Sequence, residues 1–202
     1  MNWITKIIKA GEKIKTAIRE RSTKADIANS DWTSCCRGPI LKKDLEANLW
    51  VCPDCNKHHY ISPTNRFNLM FGKDGWKKIE SPQPPPDPYK WEDTKKYVDR
   101  LKDAKKITGQ DNAILSCEAK INNIDVVVSA VDFKFIGGSI SMAEGENVLA
   151  AVQTALNKKC PYIFVSASGG MRMMTNILSL MQMTRMTVGI NALREKNLPY
   201  IV

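Results

Sequence analysis

Histidine is nearly missing from this sequence. His58 and His59 are the only two in 202 residues, and both adjoin a cysteine cluster far from the C-terminal half, which makes them weak candidates for a general base. No serine, cysteine or aspartate has an obvious base partner in sequence, so a nucleophile triad is not supported. Cysteine is also sparse. Six in the whole chain are too few for a secreted disulfide scaffold. No long apolar run opens the chain: Trp3, Ile4, Ile7 and Ile8 are punctuated by Lys6 and Lys9, which excludes a signal peptide or a membrane span there and points to a reducing cytoplasm. There are no internal repeats, no P-loop and no dinucleotide fingerprint. No basic stretch is interleaved with stacking aromatics, as a nucleic-acid surface would want.

What is present is an ordinary apolar share, enough for a core, and a formal net charge of +9. That charge fits a phosphate-bearing ligand, a nucleic acid or an acidic partner without choosing among them. Four segments follow from the pattern. Residues 1–31 read as an N-terminal helix, with Trp3, Ile4, Ile7, Ile8, Ile14 and Ile18 near a helical period, and a polar linker. Residues 32–60 hold the cysteines. Residues 61–110 form a connector: a short helix over 63–71, the proline cluster 81–88, and a charged helix over 91–107 closed by Thr108-Gly109. Residues 111–202 read as an α/β domain. Its β-branched runs Ala113–Cys117 and Ile124–Val131 suit buried strands, residues 142–158 a helix, Pro161–Ser166 a strand, Met171–Lys196 a long helix, and Tyr200–Val202 a last strand. That order predicts a mainly parallel sheet. The methionines at 171, 173, 174, 181, 183 and 186 are expected in the core, or at an adaptable subunit contact.

Cys52-Pro53-Asp54-Cys55 has zinc-knuckle spacing, in which two intervening residues let the turn wrap the metal with both sulfurs facing it. A second pair lies some way upstream, at Cys35 and Cys36. These are adjacent rather than separated, and adjacent side chains of an extended segment point apart. One of them would ligate, with His58 or His59 as the substitute fourth ligand. The expected metal is one structural zinc ion, because a closed thiolate tetrahedron leaves no open position for substrate.

Two glycine turns follow predicted strands. The first is Phe135-Ile136-Gly137-Gly138-Ser139; the second is Ser166-Ala167-Ser168-Gly169-Gly170-Met171-Arg172-Met173. Glycine pairs there permit close backbone approach and free main-chain N–H groups that can hold an oxyanion. Plain turns are the competing reading. Arg172 is the candidate charged group beside the second turn, or else a helix-start arginine paired to a neighbouring carboxylate.

Together these residues resemble the β-subunit family of bacterial-type acetyl-CoA carboxylase carboxyltransferases. The matching stretches run co-linearly: Met1-Asn2-Trp3-Ile4, Trp32-Thr33, Asp44 through Cys55, His58-His59, Lys95-Lys96-Tyr97 with Asp99-Arg100-Leu101, both glycine turns, and Leu180-Met181-Gln182-Met183. The resemblance implies a crotonase/ClpP-like β-β-α superhelix domain, incomplete here, preceded by a small zinc ribbon. It further implies transfer of a carboxyl group from carboxybiotin, held on a biotin carboxyl carrier protein, to acetyl-CoA, giving malonyl-CoA for fatty-acid biosynthesis. Implied partners are the α subunit in an α2β2 heterotetramer and biotin carboxylase, within an ATP-dependent complex. The family pattern implies zinc on Cys35, Cys36, Cys52 and Cys55; the glycine turns themselves offer Gly169 and Gly170 as candidate backbone donors, with Gly137, Gly138, Ser139 and Arg172 as candidates on the acyl-CoA side. The sequence departs from that pattern in the missing spacer between Cys35 and Cys36. It also ends before a Thr-Asp-Pro-Thr-Thr-Gly-Gly segment that the family's mechanism uses for its oxyanion hole, so an incomplete, impaired form is expected. A zinc-ribbon nucleic-acid module and a non-functional truncated product are the alternatives.

Overall fold

Strand β5, Ile124–Val131, is the middle of a five-stranded sheet and is buried from Val126 onward, as a run of apolar residues broken only by Ser129 demands. The computed structural model describes residues 31–35 and 38–202, and the chain divides into two units, Met1–Tyr60 and Ile61–Val202. The expected helix at 3–20, its linker up to residue 30, and Cys36 lie outside the described residues.

In the first unit β1 (Trp32–Cys35) pairs antiparallel with β2 (Gly38–Leu41), Cys35 opposite Gly38. Helix α1 (Lys42–Ala47) buries Leu45 completely. Leu49 and Trp50 then take left-handed backbone angles, which costs bulky residues about 1 kcal/mol each. They are held there by Trp50 N–H to Leu45 O (2.6 Å) and by the Asn48 side chain to Val51 O (2.8 Å).

In the second unit helix α2 (Pro63–Phe71) starts with Ser62 accepting the Asn65 N–H and a proline in its first turn, and ends at left-handed Gly72. It sets Phe67 edge-on against Trp76 of β3 (Trp76–Lys78). Residues 81–88 carry no regular structure, as their prolines require. Helix α3 (Tyr97–Thr108) ends at left-handed Gly109 but begins later than residue 91. Asp87 caps the Trp91 N–H and Asp93 caps the Lys95 N–H, and these side-chain bonds hold 91–96 in a turn instead.

The sheet order is β3-β4-β5-β6-β7, with β4 (Ile114–Ile121), β6 (Tyr162–Val165) and β7 (Tyr200–Ile201). It is mixed rather than mainly parallel: β3-β4 and β4-β5 are antiparallel, β5-β6 and β6-β7 parallel. The cause is the two-residue turn Asn122-Asn123, both left-handed, which closes β4 and β5 into a hairpin. Helices α4 (Met142–Lys158) and α5 (Asn176–Glu195) are the two crossovers between the parallel strands.

Val127, Tyr162 and Phe164 of the sheet pack with Val148, Val152 and Leu193 of the crossover helices. Alternate residues Val126, Val128 and Ala130 turn the other way, toward Phe67 of α2. Gly145 of α4 lets Gln182 of α5 approach so closely that a Cβ would sit 2.2 Å from its Oε1. The core reading of the methionines is corrected for Met173, Met181 and Met183, which are exposed. Met171, Met174 and Met186 are half-buried, Met174 against the Tyr97 and Phe135 cluster and Met186 against the core shared by the sheet and crossover helices. Among the described residues no helix is long and apolar enough to cross a membrane.

Candidate functional site

The cysteine cluster is built by the small unit. After α1 the chain returns through Trp50, and Val51 bridges His58, with Cys52 N–H to Lys57 O (2.9 Å) and His59 N–H to Trp50 O (2.8 Å). Within that loop Asn56, left-handed, donates its N–H to Cys52 O (2.9 Å), and the turn presents Cys52 and Cys55 to one point. The hairpin β1-β2 delivers Cys35 to the same point. The three sulfurs lie within 4.8 Å of one another, with Cys35 Sγ to Cys55 Sγ at 3.4 Å. A tetrahedron with zinc–sulfur bonds of about 2.3 Å has edges of about 3.8 Å. The donor set therefore fits a thiophilic divalent ion in both chemistry and spacing. Neither His58, which is exposed, nor His59 belongs to the cluster, and Cys36 lies outside the described residues.

The second site sits where β5 and β6 end. After β5 the first glycine turn places Ile136, Gly137 and Gly138 in succession in the left-handed region, one of them a β-branched residue for which that geometry is strained. After β6 the second turn runs through Ser166–Gly170, every residue of it exposed. The two turns are joined. Gly169 N–H donates to Gly137 O (2.8 Å), Ile140 N–H to Gly170 O (2.9 Å), and Arg172 N–H to Ile140 O (2.8 Å). Gly138 has to be glycine twice over, since it is left-handed and a Cβ there would meet Ala167 O at 2.2 Å.

This geometry sorts the expected donors. Gly169 N–H is committed to the join, and Gly138 N–H and Ser139 N–H close their own turn onto Phe135 O and Ile136 O. Gly170 N–H is different: it is exposed and accepted only by the Ser168 hydroxyl, at 3.0 Å. A ligand oxygen can displace a mobile hydroxyl far more easily than a neighbouring carbonyl.

Arg172, expected beside the substrate, is instead buried beneath the turns and spends its donors on protein. Its Nε donates to Ser139 Oγ (3.1 Å), one terminal nitrogen to Tyr97 Oη (3.0 Å), and the other to Ser139 O and to Glu144 Oε1 (2.6 Å). The guanidinium also lies over the Phe135 ring, 5.6 Å from its centroid. Burial alone works against the charge, but the facing Glu144 carboxylate and Tyr97 hydroxyl hold the guanidinium above its ordinary pKa. Burial pushes the Tyr97 hydroxyl up against the opposing pull of Arg172. Glu144 is fully buried and also accepts Ala113 N–H (3.0 Å) and Ser141 N–H (2.9 Å). Removing one partner of such a pair strands the other, at a cost on the order of 3–5 kcal/mol. Glu144 and Tyr97 were not singled out from sequence. The Ser141-x-x-Glu144 spacing ahead of an apolar helix is a capping-box signal and could have marked the first. Nothing local marks the second.

A carboxyl transferase domain model matches residues 96–202, which takes in both turns and the buried pair. The acetyl-coenzyme A carboxylase carboxyl transferase subunit β of Pelagibacter ubique is 54% identical over all of this chain, and the chain spans 65% of that relative's length. The subunit β of Beijerinckia indica is 40% identical, again over all of this chain and over 68% of the relative. Among solved structures, a transcarboxylase 12S hexamer carrying methylmalonyl-coenzyme A superposes with a TM-score of 0.50 at 17% identity, over 65% of this chain and 24% of that one, a likeness of fold alone. With a crotonase-like α/β fold, two joined glycine turns at its strand ends and this degree of identity, the chain belongs to the β-subunit family of acetyl-coenzyme A carboxylase carboxyl transferases.

Proposed function

We propose that this chain acts as the acyl-CoA half of a carboxyltransferase, moving a carboxyl group from carboxybiotin on a carrier protein to acetyl-CoA and so forming malonyl-CoA for fatty-acid synthesis. The observation that carries the reading is the joined pair of glycine turns with the Gly170 amide exposed at their rim. Loss of a proton from a thioester methyl gives an enolate, whose oxygen needs donors placed where the charge develops. Gly170 N–H serves as one such donor once Ser168 swings away. Gly137 and Gly138 shape the wall beside it, and Ser139, whose hydroxyl is tied to Ile136 O and Arg172, fixes that wall from behind.

No side chain of the two turns is a base near neutrality, and the proton leaves to the co-substrate: the biotin ureido nitrogen takes it up as its carboxyl departs as CO2, and the enolate carbon then bonds to that CO2 to give malonyl-CoA. The chain works in the cytoplasm with an α subunit that supplies the biotin-facing half of an α2β2 assembly, served by biotin carboxyl carrier protein and biotin carboxylase. Cys35, Cys52 and Cys55 would hold the zinc ion, which would tie the β1-β2 hairpin to the knuckle as a structural metal. The test is malonyl-CoA formation by this chain with its α subunit, acetyl-CoA and carboxybiotin, beside the Pelagibacter ubique subunit β. Activity is expected in the Pelagibacter ubique subunit, and weaker activity in this chain. A silent chain beside an active control removes the reading for this protein.

A further inference from the structure

Both turns are soft by composition. One contains three consecutive left-handed residues, and the other is wholly exposed. Three backbone hydrogen bonds join them, and behind those lies a single residue that reaches the first turn and three helices. Through its side chain Arg172 grips Ser139 at two atoms, Tyr97 at the first position of α3, and Glu144 in the first turn of α4. Through its backbone it bonds Ile140 and accepts the Ser179 hydroxyl of α5 at 2.7 Å. Glu144 extends the same frame to Ala113, next to the start of β4. Apolar residues of equal volume would fill this space at least as stably, because two buried charges lose much of their attraction to desolvation. What apolar packing lacks is direction: only the planar fork of an arginine fixes a carbonyl, a hydroxyl and a carboxylate at set angles together.

We propose that the buried Arg172–Glu144 pair is a positioning device that holds the two glycine turns at a fixed separation, so that the Gly170 amide keeps its aim during carboxyl transfer. The catalytic consequence rests on the function proposed above; the mechanical coupling of the turns does not. A donor that acts on charge developing only in the transition state changes kcat more than KM when it loses its aim. A residue that merely stabilises the fold changes neither in the protein that remains folded.

Arg172→Lys keeps the charge and loses the fork, and Tyr97→Phe removes one acceptor of the fork and little else. Tyr162→Phe is the control, since it deletes a buried hydrogen bond to Ser129 inside the sheet, away from both turns. Kinetics are read in the complex with the α subunit. Amide hydrogen exchange is read in the chain itself, over 136–141 and 167–172. Arg172→Lys is expected to lower kcat about tenfold or more with KM for acetyl-CoA changed less than about threefold. It is also expected to speed exchange in both turns together, and Tyr97→Phe should do the same to a lesser degree, whereas Tyr162→Phe should do neither. Unchanged kcat in Arg172→Lys, or faster exchange confined to one turn, overturns the proposal. If Arg172→Lys does not fold, Tyr97→Phe decides by the same two criteria. If the unmodified complex transfers no carboxyl group, the function reading fails by itself and the exchange measurement still decides the coupling.

Discussion

Gly138→Ala and Gly137→Ala are neighbouring substitutions with the same chemistry and nearly the same backbone angle, φ +63° and +65°, yet the structure separates them sharply. An alanine held left-handed costs about 1 kcal/mol at either position. At Gly137 nothing lies within 4 Å of the added Cβ, so the loss should stop there. At Gly138 the Cβ would sit 2.2 Å from Ala167 O and 3.0 Å from Val131 Cγ1. Ala167 O belongs to the other turn's backbone, so relief requires the two turns to move apart by roughly 1 Å. That movement breaks or stretches Gly169 N–H to Gly137 O and Ile140 N–H to Gly170 O, each worth about 1 kcal/mol. The expected totals are about 3–4 kcal/mol for Gly138→Ala against about 1 kcal/mol for Gly137→Ala. Urea unfolding followed by tryptophan fluorescence measures both. Equal losses, or a Gly138→Ala loss near 1 kcal/mol, would refute the account of the turns as one joined unit.

Cys52→Ser and Cys55→Ser should each reduce bound zinc from one equivalent to a small fraction, measured by elemental analysis of protein purified without chelator; full zinc content in either variant removes Cys35, Cys52 and Cys55 as the ligand set. Burial pushes the Cys117 thiol up to about 12 from an ordinary 9.0. Its contribution to stability is therefore intact below pH 9 and declines as pH rises toward 12, by about 1.4 kcal/mol per unit. Cys117→Ala should make the fall in stability around pH 10 shallower by about 1 kcal/mol per unit, and an unchanged slope counts against the buried neutral thiol. Asn123, left-handed at φ 66° in the β4-β5 turn, should accept glycine within about 0.5 kcal/mol and lose more than about 1 kcal/mol on replacement by valine, as read from thermal midpoints.

Elements whose signal is local were legible from residues alone. The α4 span came out at 142–158 because apolar spacing, an acidic first turn and a lysine at its end all agree. The antiparallel part of the sheet was missed because two β-branched runs look alike whichever way they pair. The sign was in the Asn122-Asn123 junction, where two residues tolerant of positive φ leave room only for a hairpin. Helix α5 starts at Asn176 rather than Met171 for a reason no local window contains: Met171 and Arg172 are engaged by Ile140, some thirty residues earlier, and cannot enter a helix. The core reading of the methionines failed for a related reason. Apolar character reports that a side chain avoids water, not whether the protein's own core or another surface covers it.

The same distinction governs the site. A backbone donor leaves no mark in sequence beyond the glycines around it, and glycine pairs mark ordinary turns equally well. Only the hydrogen-bond count separates Gly169, whose N–H is already spent, from Gly170, whose N–H is held by a hydroxyl that can move. Arg172 shows the converse. A charged residue beside a glycine turn invites assignment to a ligand, and burial reverses that, because a guanidinium with a carboxylate, a phenol and a serine already in its grasp has little left to offer. An amide at a fully exposed rim is weak against bulk water, and its strength as an oxyanion donor grows only when the rim is covered. The exposed apolar residues Ile177, Leu180, Met181 and Val188, spaced along one face of α5, fit a surface that is covered at work. Under the proposed function the two contributions separate: this chain sets the aim of the donor, and a covering surface would set its strength.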